Sequence, residues 1–274
     1  MKVSWVGLLL TTTALAASGA AMAQQKTMYV AGYGGSYEQT MRKEVIPVFE
    51  KQANVKIEYV AGNSTDTLAK LQAQKGNQQI DVAIVDDGPA YQAVALGFCG
   101  TLTDGPVYKD VAPVMKFKSN KGVGLGLVAT GLFYNTKVFA ENKWPAPTSW
   151  NDLLKPADAI KGKTTMLATD RWLMMPALLA LGYSVNTVKE DEIAAAKAQL
   201  IETKKTLLAY DDTTFYSKLV SGEASLVHAW DGWCNYGITE NKDIKFVVPK
   251  EGSDLWVDTI VVMKNSEKKD AAMK

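Results

Sequence analysis

Apolar residues in the first third of the chain follow two spacings in turn, one typical of strands and one typical of helices. Short apolar runs bounded by polar residues predict strands, and longer segments with apolar residues three or four positions apart predict helices. In chain order these segments are strand 27–31, helix 37–52, strand 55–60, helix 66–75, strand 80–85 and helix 90–96. This regular alternation predicts an α/β unit with a parallel sheet.

The rest of the chain repeats the alternation less regularly. The predicted strands are 124–134, 164–168, 224–229, 244–248 and 256–263, and the predicted helices are 150–154, 172–181, 190–203, 216–222, 233–240 and one that starts at 268. The pattern therefore predicts two α/β blocks, at about 27–130 and 135–250. Because open α/β sheets bind ligands beyond the carboxyl ends of their strands, the site is expected just after strands. The positions that satisfy this rule are 33–37, 86–88, 169–172, 230–232 and 256–258.

The first 23 residues predict a secretory signal peptide. A short basic start, Met1-Lys2, precedes an apolar run, and Ala21-Met22-Ala23 matches the small-x-small pattern of a cleavage site. The alternative is an uncleaved membrane anchor, which the shortness of the run and its interruption by Thr11–Thr13 disfavour. Such a signal peptide would direct export of the chain, and cleavage after Ala23 would release the rest of it.

Composition describes an ordinary globular chain of 274 residues, with 47% hydrophobic residues, 22% charged residues and a formal net charge of +1. These values argue against disorder, and the near balance of 30 Lys+Arg against 29 Asp+Glu argues against a nucleic-acid partner. The two cysteines, Cys99 and Cys234, could pair in an oxidising compartment, although they lie in different predicted blocks.

The sequence lacks a complete catalytic set. Its one histidine, His228, lies in an apolar strand, where a core histidine is more common than a catalytic base. Neither a Gly-x-Ser-x-Gly elbow nor a zinc-protease helix motif occurs, and one histidine is too few for a histidine-rich metal site. We therefore expect no enzyme activity, no cofactor and no metal, with a secreted hydrolase as the less favoured alternative.

A glycine-rich segment, Gly34-Gly35-Ser36, lies between a predicted strand and a predicted helix. Glycines let a ligand approach the backbone, and a helix N-terminus favours an anionic group. A tight turn without a ligand explains the segment equally well, and the spacing differs from a dinucleotide-binding fingerprint. Gly35, Ser36 and Tyr37 are candidate ligand contacts on the first interpretation.

Two sets of charged residues follow other predicted strands. Asp86 and Asp87 could face a cleft and attract a cation, or one of them could cap the following helix. In the second set, Arg171 could bind a carboxylate or phosphate, and Asp170 could bind an amine. The alternative for the second set is a helix-capping Asp170 beside a solvated Arg171.

Two tryptophans each lie close to a carboxylate in the last third of the chain. Trp230 precedes Asp231, and Trp256 is two positions from Asp258, so a strand would place the latter two side chains on one face. Tryptophan rings and carboxylates together suit an organic ammonium group, through cation–π contact and a charge-assisted hydrogen bond. The other interpretation is that the tryptophans fill the core and the acids face water.

Several short segments occur in an order and spacing that point to a known family. The segments are Gly34-Gly35-Ser36-Tyr37, Phe49-Glu50-Lys51, Ile80-Asp81-Val82, Thr148-Ser149-Trp150-Asn151-Asp152-Leu153, Leu181-Gly182-Tyr183-Ser184, Val248-Pro249-Lys250-Glu251-Gly252 and Trp256-Val257-Asp258-Thr259. Over essentially the whole chain after the signal peptide, the sequence resembles the periplasmic solute-binding proteins of ATP-binding-cassette importers. Within them it resembles the group that contains the spermidine/putrescine-binding proteins.

The resemblance implies an α/β type II periplasmic-binding-protein fold. In this fold two lobes, each a mostly parallel sheet flanked by helices, are joined by crossing strands and close on a ligand by hinge motion. It divides the chain into the signal peptide at 1–23, lobe 1 at 24–130 plus 254–274, and lobe 2 at 131–253. Family members continue well past this point, so residues 268–274 are expected to begin a helix that has been cut.

The resemblance also suggests roles for the aromatic and acidic pairs. Trp256 and Asp258 match the aromatic wall and the ammonium-binding carboxylate of polyamine binders, and Trp230 matches an aromatic residue of the preceding motif. This chain has Asp231 in that motif, and Trp172 stands where a glutamate of polyamine binders would be.

The acidic residues depart from the pattern of the polyamine binders. Asp86 and Asp87 stand where that group carries small hydroxyl and aromatic residues, and Asp170 could compensate for the missing glutamate. The rearranged carboxylates also suit a compound with an amine at one end and a carboxylate at the other. Arg171 or the Gly34-Gly35-Ser36 turn would then be the anion partner.

These observations predict a periplasmic, monomeric substrate-binding component of an importer. It would capture a small amine-bearing solute, polyamine-like or zwitterionic, and deliver it to permease subunits in the inner membrane. The alternative within the same fold is a binder of ferric ion or of a small anion.

Overall fold

The structure is a computed structural model that describes residues 25–103, 105 and 108–274, without the side chains of 233–236. The predicted signal peptide at 1–23 lies outside the described residues. The described strands are β1 Lys26–Gly32, β2 Val55–Ala61, β3 Val82–Asp86, β4 Val123–Asn135, β5 Thr164–Met166, β6 Ala209–Tyr210, β7 Leu226–Trp230, β8 Ile244–Val247 and β9 Leu255–Val262.

Helices connect most of these strands. The described α-helices are α1 Gly35–Thr40, α2 Ile46–Ala53, α3 Ser64–Ala73, α4 Asp87–Ala95, α5 Thr136–Glu141, α6 Asn151–Leu154, α7 Asp170–Ala180, α8 Glu190–Lys204, α9 Phe215–Ser221, α10 Asp231–Glu240 and α11 Lys269–Ala272. A π-helical segment, Met41–Val45, joins α1 to α2, so helical backbone runs from Gly35 to Ala53. Among the described residues, no helix has the length and apolar character needed to cross a membrane.

The strands form one sheet in the order β2-β1-β3-β9-β4-β7-β5-β6, with β8 paired to β4. Strand β1 is parallel to β2 and β3, and β5 is parallel to β6 and β7, whereas β9 is antiparallel to β3 and β4. We call β2, β1, β3, β9 and residues 123–129 of β4 the first half-sheet. Residues 130–135 of β4 with β7, β8, β5 and β6 form the second half-sheet.

Strand β4 is the element that belongs to both half-sheets. Its residues 123–129 pair with β9, whereas Thr130–Tyr134 pair with β7 and Leu132–Asn135 pair with β8. The register against β9 shifts between Gly124 and Gly126, as at a β-bulge. The chain therefore passes from one half-sheet to the other within a single strand.

Local sequence explains where several elements begin and end. All five residues of β3 are buried, as expected for a strand covered on both faces of its sheet. The Asn63 side chain accepts a hydrogen bond from Asp66 N at 2.8 Å and so caps α3. Gly222, in the left-handed conformation at φ 81°, ends α9.

Each half-sheet has its own buried side chains. Those of the first half-sheet include Met28, Ala31, Ile57, Ala83 and Val261. In the second half-sheet, one cluster surrounds Trp150, Leu153 and Met166. Another contains Phe133, Leu167, Phe215 and Trp172, together with Trp256 from β9 of the first half-sheet. The second of these clusters matters most here, because it continues into the carboxyl edge of the sheet.

The predicted elements correspond to observed ones within a few residues, with two omissions. Helix α5 and the two-residue strand β6 were not predicted. At the start of α6, Trp150 is the capping residue, and Asn151 N donates to Ser149 Oγ at 3.1 Å. Cys99 carries a free, buried thiol, and burial raises its pKa to about 11.

Candidate ligand-binding site

Two aspartates meet where strand β3 ends. Asp86 is the last residue of β3, and the antiparallel register places it directly opposite Asp258 of β9. Opposed residues of an antiparallel pair hold their Cβ atoms about 5 Å apart. The topology therefore brings two carboxylates, separated by most of the chain, to one position on the carboxyl edge of the first half-sheet.

Asp258 is held by two donors on one of its oxygens. Tyr33 Oη donates to Asp258 Oδ1 at 2.8 Å, and Trp256 Nε1 donates to the same oxygen at 3.2 Å. Burial, aided by the nearby charges of Asp86 and Asp231, raises the pKa of Asp258 to about 6 against the effect of these two hydrogen bonds. A cation beside an acid with a raised pKa stabilises the ionised form of that acid.

Asp86 is more deeply buried and is incompletely paired. The residue is only 4% exposed, and its backbone N donates to Ser64 Oγ at 3.0 Å. Its Oδ1 has no hydrogen-bond partner among the described residues, and burial raises the pKa of its carboxyl group. A buried carboxylate oxygen without a donor is unfavourable, so this atom marks a place where a ligand donor would fit.

Three tryptophans form a wall beside these acids. The ring centroid of Trp172 lies 5.2 Å from that of Trp230 and 5.0 Å from that of Trp256. Trp172 and Trp256 are 8% and 3% exposed, so these rings belong to the core as well as to the edge of the site. Nε1 of Trp172 and Nε1 of Trp230 are buried without a partner among the described residues.

Arg171, the second residue of α7, lies between the acids and this wall. Its Nε donates to Asp254 Oδ2 at 3.0 Å, and its Nη1 lies 3.2 Å from Asp87 Oδ1 and 3.6 Å from Asp86 Oδ2. Its Cζ lies 5.6 Å from the ring centroid of Trp172 and 5.7 Å from that of Trp256. Arg171 thus connects α7 to residues next to β3 and β9.

The glycine turn lies beside Tyr33 and forms the start of α1. Gly34 is the capping residue of α1, and Gly35 adopts the left-handed φ of +65° that favours glycine. Ser36 is buried, and the ring of Tyr37 meets that of Tyr33 edge to face at 5.3 Å. The segment therefore forms a tight turn next to Tyr33, and its contact with a ligand stays a prediction.

The remaining predicted residues are less central. Asp87 accepts from Gly88 N at 2.8 Å besides contacting Arg171, and Asp231 is the half-buried first residue of α10. Asp170 is exposed in the first turn of α7.

The capping alternatives for these acids are wrong in detail. Asp86 is the capping residue of α4, yet its side chain makes no capping hydrogen bond. Thr169, rather than Asp170, is the capping residue of α7. Arg171 is not simply solvated, because three carboxylates surround its guanidinium.

Two residues of the site, Ser64 and Asp254, lie outside the predicted positions, and Tyr33 lies within the predicted range 33–37 but was not named as a ligand contact. Tyr33 and Asp254 contact the charged groups directly, and Ser64 accepts a hydrogen bond from the backbone of Asp86. Tyr33 directly follows a strand, which is a usable signal. Nothing local marks Ser64 or Asp254, because their partners are distant in sequence.

The sequence of this chain matches a family model over residues 44–274, and the model describes the bacterial extracellular solute-binding proteins. The chain belongs to this family. A relative, spermidine/putrescine-binding periplasmic protein 1 of Haemophilus influenzae, is 29% identical over 230 residues, which are 80% of this chain and 62% of the relative. The spermidine/putrescine-binding periplasmic protein of Escherichia coli K12 is 33% identical over 129 residues, 46% of this chain and 36% of that protein.

The match thus spans less than two thirds of the length of these solute-binding relatives. Among solved structures, a putative spermidine/putrescine ABC transporter from Listeria monocytogenes superposes with a TM-score of 0.80 at 22% identity, covering 91% of this chain and 76% of the other. The fold is the type II periplasmic-binding-protein fold that the resemblance implied.

Proposed function

We propose that this chain is the substrate-binding component of an ABC importer that captures a small amine-bearing solute. The observation that carries the proposal is the opposed pair Asp86 and Asp258, with one unpartnered carboxylate oxygen and two raised pKa values. An ammonium group placed between the two acids supplies the missing hydrogen-bond donor and the missing positive charge.

The surroundings of the acids favour an organic cation over a bare ion. Trp256 and Tyr33 both donate to Asp258, and their rings give an apolar boundary next to the charge. Aromatic faces attract organic ammonium groups and exclude water from the methylene groups that carry them. A solute with an ammonium head on a short alkyl chain matches both properties.

The names of the relatives support the same class of ligand. The Haemophilus influenzae and Escherichia coli relatives are named spermidine/putrescine-binding periplasmic proteins. By this likeness, the chain acts in the periplasm and delivers its solute to permease subunits in the inner membrane. In the same proposal it is a monomer without a catalytic role or a cofactor.

The two half-sheets support a division into two lobes close to the predicted one. In this proposal the lobes join where β4 changes its partners, between Ala129 and Thr130, and again before β9 begins at Leu255. The Asp86–Asp258 pair lies beside that joint. Both acids belong to the first lobe, whereas Trp172, which packs against Trp256, belongs to the second. A solute that contacts the acids and Trp172 would join both lobes and favour the closed arrangement.

Isothermal titration with putrescine, spermidine and monoamines of matched length tests the proposal. The wild-type chain is expected to bind at least one of them, and Asp258→Asn should weaken that binding at least about tenfold, because the ammonium loses a buried charged partner. Asp158→Asn is the matched control, since the side chain of Asp158 is 93% exposed and pairs with Lys161 on the surface. Absence of binding to every amine, or equal binding by Asp258→Asn, contradicts the proposal.

A further inference from the structure

We propose that Arg171 is a built-in cation that takes the place of a second ammonium group, so that the site selects solutes with a single ammonium over diamines. This inference rests on the proposed function, which supplies the amine site at Asp86 and Asp258. It adds the residue that determines how many ammonium groups a bound solute can have.

The contacts of Arg171 are those that an organic ammonium would make in such a site. Its guanidinium lies within 3.6 Å of carboxylate oxygens of three aspartates, Asp86, Asp87 and Asp254. It also lies over the faces of Trp172 and Trp256, at 5.6 and 5.7 Å from the ring centroids. Acids and aromatic faces that could hold a second solute cation are therefore already occupied by a cation of the protein.

The acceptors that Arg171 leaves unused suit one ammonium group. Asp86 faces Arg171 with Oδ2, whereas its buried Oδ1 has no partner among the described residues. Asp258, on the neighbouring strand, forms no ion pair with Arg171 and accepts hydrogen bonds from two neutral donors. A single ammonium fits between Asp86 Oδ1 and Asp258.

A second ammonium on a short alkyl chain would meet the guanidinium instead of a free acid. The second ammonium and the guanidinium carry like charges and repel each other. Displacing Arg171 is also unfavourable, because it would leave three carboxylates without their cation. A neutral or anionic end avoids this conflict. The hydrogen bonds of Arg171 use Nε and Nη1, and its side chain is 38% exposed, so Nη2 is left to donate to a carboxylate of the solute.

Three probes of equal chain length separate the charge states: n-butylamine, 4-aminobutanoate and putrescine. We expect the wild-type chain to bind 4-aminobutanoate more tightly than putrescine, by about tenfold or more. Arg171→Gln should reverse this order, because putrescine gains three unpaired acids and 4-aminobutanoate loses its anion partner. Arg171→Lys retains the charge and should retain the wild-type order.

Lys205→Gln is the matched control, because Lys205 forms an exposed pair with Glu202 far from these contacts in the sequence. It should leave all three dissociation constants unchanged. The ratio of the constants for putrescine and 4-aminobutanoate is the decisive readout, since a purely structural role of Arg171 would weaken all probes alike.

The inference is overturned if the wild-type chain prefers putrescine, or if Arg171→Gln leaves the ratio unchanged. Either result leaves the proposed amine site intact, provided that amines still bind and Asp258→Asn still weakens them. If the wild-type chain binds no amine at all, the proposed function fails, and this inference fails with it.

Discussion

Asp258 is a buried acid that is unfavourable in the empty protein and that the proposed function requires for binding. Its pKa, raised mainly by burial to about 6, lies well above the ordinary value of about 4. The folded, ligand-free state therefore retains this proton more readily than the unfolded state does. The resulting contribution to stability is complete below about pH 4 and is lost as the pH rises through 6.

Amine binding should accordingly weaken in acid. The solute requires the ionised form of Asp258, so affinity should fall below pH 6 by about tenfold per pH unit. Isothermal titrations at pH 7.5, 6 and 5 measure this slope. Asp258→Asn should flatten it, whereas an equally steep slope in that variant would assign the titration to another group.

His228 is an unusual residue in the core of the second half-sheet. It is fully buried, its ring contacts that of Trp150 at 5.1 Å, and neither nitrogen has a partner among the described residues. Burial lowers its pKa to about 3. Because the unfolded chain takes up this proton at about pH 6.5, the stability associated with neutral His228 is present above that pH and is lost as the pH falls through 3.

Replacing His228 by an apolar residue should therefore stabilise the fold. His228→Leu removes two unsatisfied nitrogens and is expected to raise the free energy of unfolding by about 1 kcal/mol at pH 7. Its advantage should be larger at pH 4, where the wild-type imidazole opposes folding. Urea unfolding at both pH values measures the difference, and a loss of stability at pH 7 would show that the imidazole has a partner in the native protein.

Prediction from sequence succeeds at the residue scale where partners are close in the chain. Trp256 and Asp258 share a strand face, and alternation along a strand was sufficient to place them together. The pairs Tyr33–Asp258 and Arg171–Asp254 join residues far apart in sequence. Their meeting depends on strand order, which local patterns do not determine.

At the scale of elements, β4 requires glycine at position 131, because residues of β8 lie too close to leave room for a side chain there. A Cβ added at Gly131 would lie 2.4 Å from Phe246 Cε2 and 2.6 Å from the carbonyl oxygen of Val247. The carbonyl belongs to the backbone of β8 and has little freedom to move. Close pairing of β4 with β8 therefore requires glycine at this position.

Gly131→Ala is expected to lower the free energy of unfolding by about 1–3 kcal/mol through overpacking. Gly126→Ala, in the same strand, has no heavy atom within 4 Å of the added Cβ and serves as the control, with a change below about 0.5 kcal/mol. Thermal unfolding of the two variants compares them directly. Equal melting temperatures would show that β8 can shift away from β4.

Most of the elements that sequence patterns predicted are long or strongly periodic, although the short α6 and β5 were also predicted. Buried β3 and amphipathic α3 were recognisable, since burial imposes a regular arrangement of side chains. The two-residue strand β6 is too short to carry a pattern. The partners of β4 were not predictable either, because strands β7, β8 and β9 lie far from β4 in the sequence.

At the scale of the whole molecule, Arg171 links segments that the proposed division assigns to different lobes. Its helix, α7, belongs to the second half-sheet, whereas Asp86 and Asp87 follow strand β3 of the first. These ion pairs favour the closed arrangement even without a solute. The empty protein is then expected to open less widely than its hinge alone would allow.

Arg171→Gln should therefore increase the radius of gyration of the ligand-free protein in small-angle X-ray scattering. The increase should exceed any change in the exposed-charge control Lys205→Gln, and a saturating amine should reverse it. If the empty wild-type and Arg171→Gln proteins have equal radii, the ion pairs of Arg171 do not restrain the lobes.

The place of Trp256 and Asp258 on strand β9 limits the substitutions by which this protein can acquire a new ligand preference. Strand β9 carries Trp256 and Asp258 and also pairs with both β3 and β4, so a substitution that alters recognition there also disturbs the joint between the half-sheets. Arg171 lies on α7, which contacts the joint through the Arg171 side chain at Asp254 but takes no part in the strand pairing there. Evolution toward a different solute is therefore less constrained at Arg171 than at Asp258, and natural diversification of specificity is expected to begin on α7.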